Sequence, residues 1–285
     1  MKKLLLASLI AVSSVAAQAQ TQLYGTISQY ADKTSGQSAT VANNLSRIGV
    51  TSQERIGDLT ARIQIETNIA ANDPVTGAAT RLGDRQSTIG LAAKGGSIDF
   101  GRNVHGQFLA VTIHDPFATA YGSVAGDHHN LRGLRMSNAT FVSFSPVTNL
   151  TVNYDREIAQ DGAQSIAAFA NFGKLSAAAA HYRHGDNNTS VVSGTADAKF
   201  VRVSGIWSRS EDGSHATTAK TVGAAFPVNA KITAKTSYGE TSQGAQAFNV
   251  GADYALSKRT IVSAVFKNDM KTDVHSLGFG ITHSF

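Results

Sequence analysis

Reactive side chains are few in this chain. It contains no cysteine, which excludes thiol catalysis, disulfides and cysteine metal sites. No Walker-type phosphate loop, HExxH or GxSxG occurs. Asp212 to His215, "DGSH", contains nucleophile-like types, yet it sits in a short polar loop and composition accounts for it. His105, His114, His128 and His129 gather around one stretch. Imidazole titrates near neutrality and can bind metal, but no ligand spacing recurs. No metal or cofactor is therefore expected, and a pH response is what these histidines offer. The remaining chemistry is charge. Arg47 in "NLSRIGVTS" and Arg62 in "LTARIQIE" lie on the polar side of alternating segments. A guanidinium stays charged at any working pH, so in such segments it has to face water.

Those segments are strands. Leu59, Ala61, Ile63 and Ile65 oppose Thr60, Arg62, Gln64 and Glu66, and Leu150, Val152 and Tyr154 oppose Thr151, Asn153 and Asp155. This two-residue period recurs to the last segment, where Leu277, Phe279, Ile281, His283 and Phe285 oppose small or polar neighbours. Before it all stands a leader. "MKKLLLASLIAVSSVAAQA" has two lysines, an apolar run and Ala17-Gln18-Ala19, the layout of a secretory signal peptide cleaved before Gln20. The formal charge of +5 includes Lys2 and Lys3, so the mature surplus is modest and gives no reason to expect nucleic acid. No stretch of apolar residues after the leader is long enough for a membrane-spanning helix.

Sixteen alternating segments can be read, among them 22–32, 44–53, 84–93, 97–103, 138–145 and 275–285. In the second half they repeat as strand, tight turn, strand, polar loop. Tight turns ("FGK", "DAK", "PVNA", "LSKR") alternate with polar loops ("HGDNNT", "SEDGSH", "ETSQGAQ", "NDMKTD"). That asymmetry describes an up-and-down antiparallel meander. One connection, Asn103 to Ser137, is far longer than the rest, and such links are usually functional. Tyr182 and Trp207 occupy matching places in two repeats near the loop side, which predicts an aromatic belt.

Strands with one apolar face fit either a secreted β-sandwich binding protein or a bilayer barrel. The apolar faces carry much Ala and Gly, too little bulk for a dense core, whereas lipid tails fill gaps. The reading is all-β, a 16-stranded antiparallel transmembrane β-barrel. Closure then requires the last strand to pair with "TQLYGTISQY". A barrel enzyme of lipase type would need a Ser–His pair in register facing lipid-accessible space, and none is evident.

The pieces "QLYGTIS", "SRIGVTSQERIGDLTARIQIE", "DRQSTIGLAAKGGSIDFGR", "DPF" in the long connection, "YALSKRT" and the final strand together resemble the trimeric general porins of Gram-negative outer membranes, in their betaproteobacterial form. The resemblance implies a homotrimer embedded in outer-membrane lipid, a third loop folded inward to narrow the channel, and passage of small hydrophilic solutes and ions. It also implies that Phe285 is read by the barrel-assembly machinery. Arg47, Arg85 and Arg135 match the family's basic wall, with Arg62, Arg102 and Arg132 as additions. Opposite them, Asp115 and Asp127 on the long loop would complete a transverse field with an anion lean. Asp115 precedes Pro116 and also suits turn initiation. The parity of Arg85 matches Ile89 and Leu91, so either a bulge intervenes or Arg85 precedes its strand.

Overall fold

A computed structural model describes residues 20–69, 81–131 and 133–285. The leader and Arg132 lie outside the described residues. The first strands are β1 (Gln20–Thr34), β2 (Thr40–Asn43), β3 (Arg47–Ile56), β4 (Leu59–Asn68), β5 (Gln86–Ala93) and β6 (Gly96–Val104). Two short helices, α1 (Gly106–Thr112) and α2 (Val124–His128), occupy the long connection. Then come β7 (Arg135–Val147), β8 (Leu150–Glu157), β9 (Gln164–Asn171), β10 (Leu175–His184), β11 (Asn187–Asp197) and β12 (Arg202–Asp212). The last are β13 (His215–Pro227), β14 (Ile232–Thr241), β15 (Gln246–Ala255), β16 (Thr260–Asp269) and β17 (Val274–Ser284).

Each strand pairs antiparallel with its neighbour, and β17 returns to β1 from Thr26↔Ser284 to Thr34↔Ser276. Gly25 and Phe285 exchange both backbone hydrogen bonds at 3.1 Å, which seals the rim. The seventeen segments form a closed barrel of sixteen strands, because β2 and β3 are two parts of one strand. A sandwich would leave two open edges, and the β1–β17 pairing removes them. Exposed Leu277, Phe279 and Ile281 point outward on β17, while Gly278 and Gly280 point into the lumen.

The segment expected as one strand over 44–53 is interrupted. Gln29 pairs with Asn43 and Thr26 with Arg47, so the second barrel strand carries one residue too many and bulges at Asn44–Ser46. Leu45 takes a φ of 60° there. Side chains replace the lost ladder: Ser28 N donates to Ser46 Oγ at 2.9 Å, and Ser46 Oγ donates back to Ser28 O at 3.1 Å. The strand expected from 138 begins earlier, at Arg135.

The long connection folds into the lumen and lies along the wall from β8 to β17. α1 buries Ala110 and Val111 against Ala167, Ala178, Ala180, Val191 and Ile206. Farther along, Pro116 covers Gly223, Val124 covers Gly239, Phe117 reaches Gly251 and Tyr121 covers Gly278. Many of the small residues ascribed above to the lipid side therefore face inward. The loop needs a flat wall on which to lie, and a Cβ at those glycines would strike it. Tyr182 is a second correction. On β10 the inward residues are Ala178, Ala180 and Tyr182, so Tyr182 is buried and stacks on His105 at 4.8 Å. Trp207 lies on the opposite parity of β12 and points outward.

Two histidines pin the loop by the same device. His114 Nδ1 lies 2.7 Å from Ser193 Oγ and its Nε2 3.1 Å from Ser176 Oγ. His129 Nδ1 lies 2.8 Å from Ser208 Oγ and its Nε2 2.9 Å from Thr221 Oγ1. Each imidazole bridges hydroxyls of two neighbouring strands, β10 and β11 for His114 and β12 and β13 for His129. Burial pushes both below the ordinary histidine range, and His129 down to about 4, with His128 alongside adding to the fall. The docked loop thus prefers neutral imidazoles. Docking is fully supported above the ordinary histidine pKa and is lost as pH falls from about 6.5 toward the docked value of about 4. The protection of loop amides against deuterium exchange, taken relative to the base-catalysed intrinsic rate at each pH, should be flat above pH 7 and fall by up to about tenfold per pH unit for each histidine within that window; His129→Gln should blunt the fall. Gly223→Val should leave a heat-modifiable barrel, since valine suits a strand, but make the loop at least about fivefold more sensitive to protease, consistent with roughly 1–3 kcal/mol of overpacking.

Candidate functional site: the channel between loop and wall

With the loop against one side of the barrel, an open space of about 1050 Å³ remains between it and the other side. Arg47, Glu66, Arg85 and Arg135 line it from the wall, and Thr119, Ser123, Gly126 and Asp127 from the loop. Lys235, Asp253 and Ser263 line it from the β14–β16 side. The strand register sets the basic wall at one height: Arg47 faces Asn68, Glu66 faces Gln86, Ser87 faces Arg102, and Val104 faces Arg135.

Glu66 is the hub. Its buried carboxylate accepts from Arg85 Nε at 2.6 Å and from the Tyr24 hydroxyl at 3.1 Å, and Arg47 Nε lies 3.4 Å away. Arg85 also donates to Asn68 Oδ1 at 2.9 Å. It precedes β5 by one residue, so its parity does not bind it to the lipid face. The bulge orients Arg47, whose Nη1 donates to Leu45 O at 3.2 Å. Arg135 differs from both: its Nε is buried without a hydrogen-bond partner among the described residues.

Three expected positions lie elsewhere. Arg62 is inward but set toward the tight turns. It grips Asp99 with two nitrogens and Ser97 Oγ at 2.8 Å, across Gly90, whose missing side chain leaves room for the pair. Arg102 sits in a bulge between Gly101 and Asn103 and donates to Asp84 O at 2.7 Å, tying the approach to β5 onto the wall. Asp115 is turned into the loop. Its carboxylate accepts from Phe117 N at 3.1 Å, Thr119 N at 2.7 Å and Ser123 Oγ at 2.6 Å. The turn-holding reading therefore describes Asp115, and it lines no part of the open space.

Asp127 does line the space, and it is paired with Lys267. Lys235 pairs with Asp253 at 2.8 Å and lies 4.7 Å from the Phe117 ring centroid. Glu66, Lys235, Asp253 and Lys267 escaped the sequence reading. Their signal was available: each is a charged residue on the inward parity of its strand, and in hydrocarbon such residues need water or a partner.

Asn44, in the bulge, reaches the loop through its side chain, accepting from Tyr121 N at 2.9 Å. The Tyr121 hydroxyl donates to Asp32, and its ring stacks on Tyr30 at 4.4 Å. The bulge thus both anchors the far end of the loop and introduces Arg47.

Comparison with known proteins returns the same barrel fold. No curated protein sequence matches the chain. Among solved structures, the anion-selective porin from Comamonas acidovorans superposes with a TM-score of 0.81 at 16% identity, over 94% of this chain and 100% of that one. Salmonella typhi OmpF, solved with daunomycin, gives 0.77 at 18% identity over 93% and 97%. In vitro folded OmpT of Vibrio cholerae, in its trimer form, gives 0.75 at 12% identity over 94% and 99%. The family described as Gram-negative porin matches residues 6–273. The chain belongs to the Gram-negative porins and forms a channel of the outer membrane.

Proposed function

We propose that this porin passes small hydrophilic solutes by passive diffusion and favours anions. One observation carries the preference: Arg135 faces the passage with no partner for its Nε among the described residues, while the nearby acid, Glu66, is shared by two other arginines. The acids on the other side are neutralised, Asp127 by Lys267 and Asp253 by Lys235. The passage thus keeps a positive excess on one wall, and field lines are focused by the low-dielectric surroundings. Diffusion needs no catalytic group and no cofactor, and on this reading the protein is a channel and not an enzyme.

Assembly belongs to the same proposal. The leader before Gln20 is removed on export, and Phe285 serves the insertion machinery as a terminal signal. Three chains associate through the apolar exterior, as the trimer form described for Vibrio OmpT suggests. In planar bilayers under a KCl gradient, the wild-type reversal potential should report chloride preference. Removing one arginine near the ion path disfavours an anion and favours a cation by about 0.8 kcal/mol each at roughly 5 Å in water, so Arg135→Ala should lower the anion-to-cation permeability ratio by up to about 15-fold at low salt and by less where salt screens the charge. Arg47→Ala should lower it at least as far, because it also takes from the Glu66 carboxylate one of its two arginine partners. Cation preference in the wild type would overturn the proposal.

A further inference from the structure

The two ends of the barrel differ in charge. At the tight-turn end, the turns carry Lys94, Lys174, Lys199, Lys231, Lys258 and Arg259, all exposed. Among the described residues, the acids at this end are Asp58, in the turn from β3 to β4 three residues after Arg55, and Asp197, which borders the Lys199 turn and is paired with Arg202. The wide end is the reverse. Among the described residues, its short connections hold Asp161, Asp186 and Asp273 against Lys271.

The basic turns also expose large apolar side chains. Phe172 is 67% exposed beside Lys174, and Phe200 is 73% exposed beside Lys199. Val228 stands near Lys231 and Leu256 near Lys258, both exposed. Lys231 Nζ lies 6.0 Å from the ring centroid of Tyr254, an outward residue of β15. Each of these turns therefore has an apolar group at the hydrocarbon boundary and an ammonium beyond it, the arrangement by which lysine reaches from apolar surface to headgroups.

The distribution selects the partner. The basic turns join β5 to β6, β9 to β10, β11 to β12, β13 to β14 and β15 to β16, so they are spread around the barrel. A protein partner would bury one arc. A lipid leaflet touches every turn, and phosphate is the group that an exposed lysine beside a phenylalanine meets there. We propose that the tight-turn rim binds anionic phospholipid of the leaflet facing the periplasm, holding headgroup phosphates of phosphatidylglycerol type in a basic ring. Tight turns face the periplasm in outer-membrane barrels, and basic clusters at a membrane surface attract anionic lipid.

The test uses the full mature protein in vesicles of phosphatidylcholine containing phosphatidylglycerol, released into native mass spectrometry. The wild type should retain phosphatidylglycerol over phosphatidylcholine by about fivefold or more. The variant Lys174→Gln/Lys199→Gln/Lys231→Gln/Lys258→Gln should retain them within about twofold of each other. Lys271→Gln, at the wide end, should behave as wild type. Equal retention by the wild type, or full preference in the quadruple variant, would overturn the proposal. So would loss of a bound acidic protein, with unchanged lipid retention, when the four lysines are replaced. Single-channel conductance of the quadruple variant should match the wild type, so the lipid proposal and the channel reading can fail separately.

Discussion

A backbone N–H or C=O left unpaired in hydrocarbon costs several kcal/mol, and this constraint organises the molecule. It forces β17 back onto β1 and brings Phe285 and Gly25 into mutual hydrogen bonds. It also explains why a break in the wall is filled by side chains. Where the ladder fails at Asn44–Ser46, the Ser46 hydroxyl accepts from Ser28 N and joins Asn44 N in donating to Ser28 O. The repair leaves the Asn44 side-chain oxygen to catch the loop and delivers Arg47 to the passage.

A barrel of sixteen strands encloses more space than its own side chains fill. Here the space is occupied by a folded segment of the chain, and the inner wall is built to receive it. Alanines and glycines form the bed, and the loop supplies the bulk through Val111, Pro116, Phe117, Tyr121 and Val124. Polar contacts then fix its position. His114 and His129 each find two hydroxyls, and Asp155 accepts from Gly106 N at 2.8 Å where α1 begins. Buried polar groups that are satisfied in this way hold one arrangement against its neighbours. The passage is consequently off-centre, bounded by a fixed loop on one side and a charged wall on the other.

The electrostatics of the passage follow from which charges are left over. Base and acid are brought together repeatedly: Arg62 with Asp99, Arg85 with Glu66, Lys235 with Asp253, Lys267 with Asp127. Most of the lining is thus neutral at short range. Arg135 departs from the pattern: its Nε has no hydrogen-bond partner among the described residues, and Glu66, the acid beside it, already holds Arg85 and lies close to Arg47.

Strand number, closure and the outward face of β17 were legible in the sequence, because a two-residue period is a local property and the bilayer leaves one architecture for it. The basic wall was partly legible. Arg47, Arg85 and Arg135 come together as expected, since each lies at the loop end of its strand and the registers are aligned. Asp115 and Tyr182 were misread for one reason: their roles depend on which way a side chain turns against a segment distant in sequence. The ladder of small inward residues was misassigned because alternation says which residues share a face and not what covers it. Arg62, Arg102 and Asp127 likewise found partners on other strands, and no spacing along the chain encodes those. The sequence by itself determined that a closed, polar-lined barrel would form, through backbone satisfaction in lipid. Only the tertiary structure decided where the loop would lie and which charges would stay unpaired, because both are set by contacts between residues far apart in the chain.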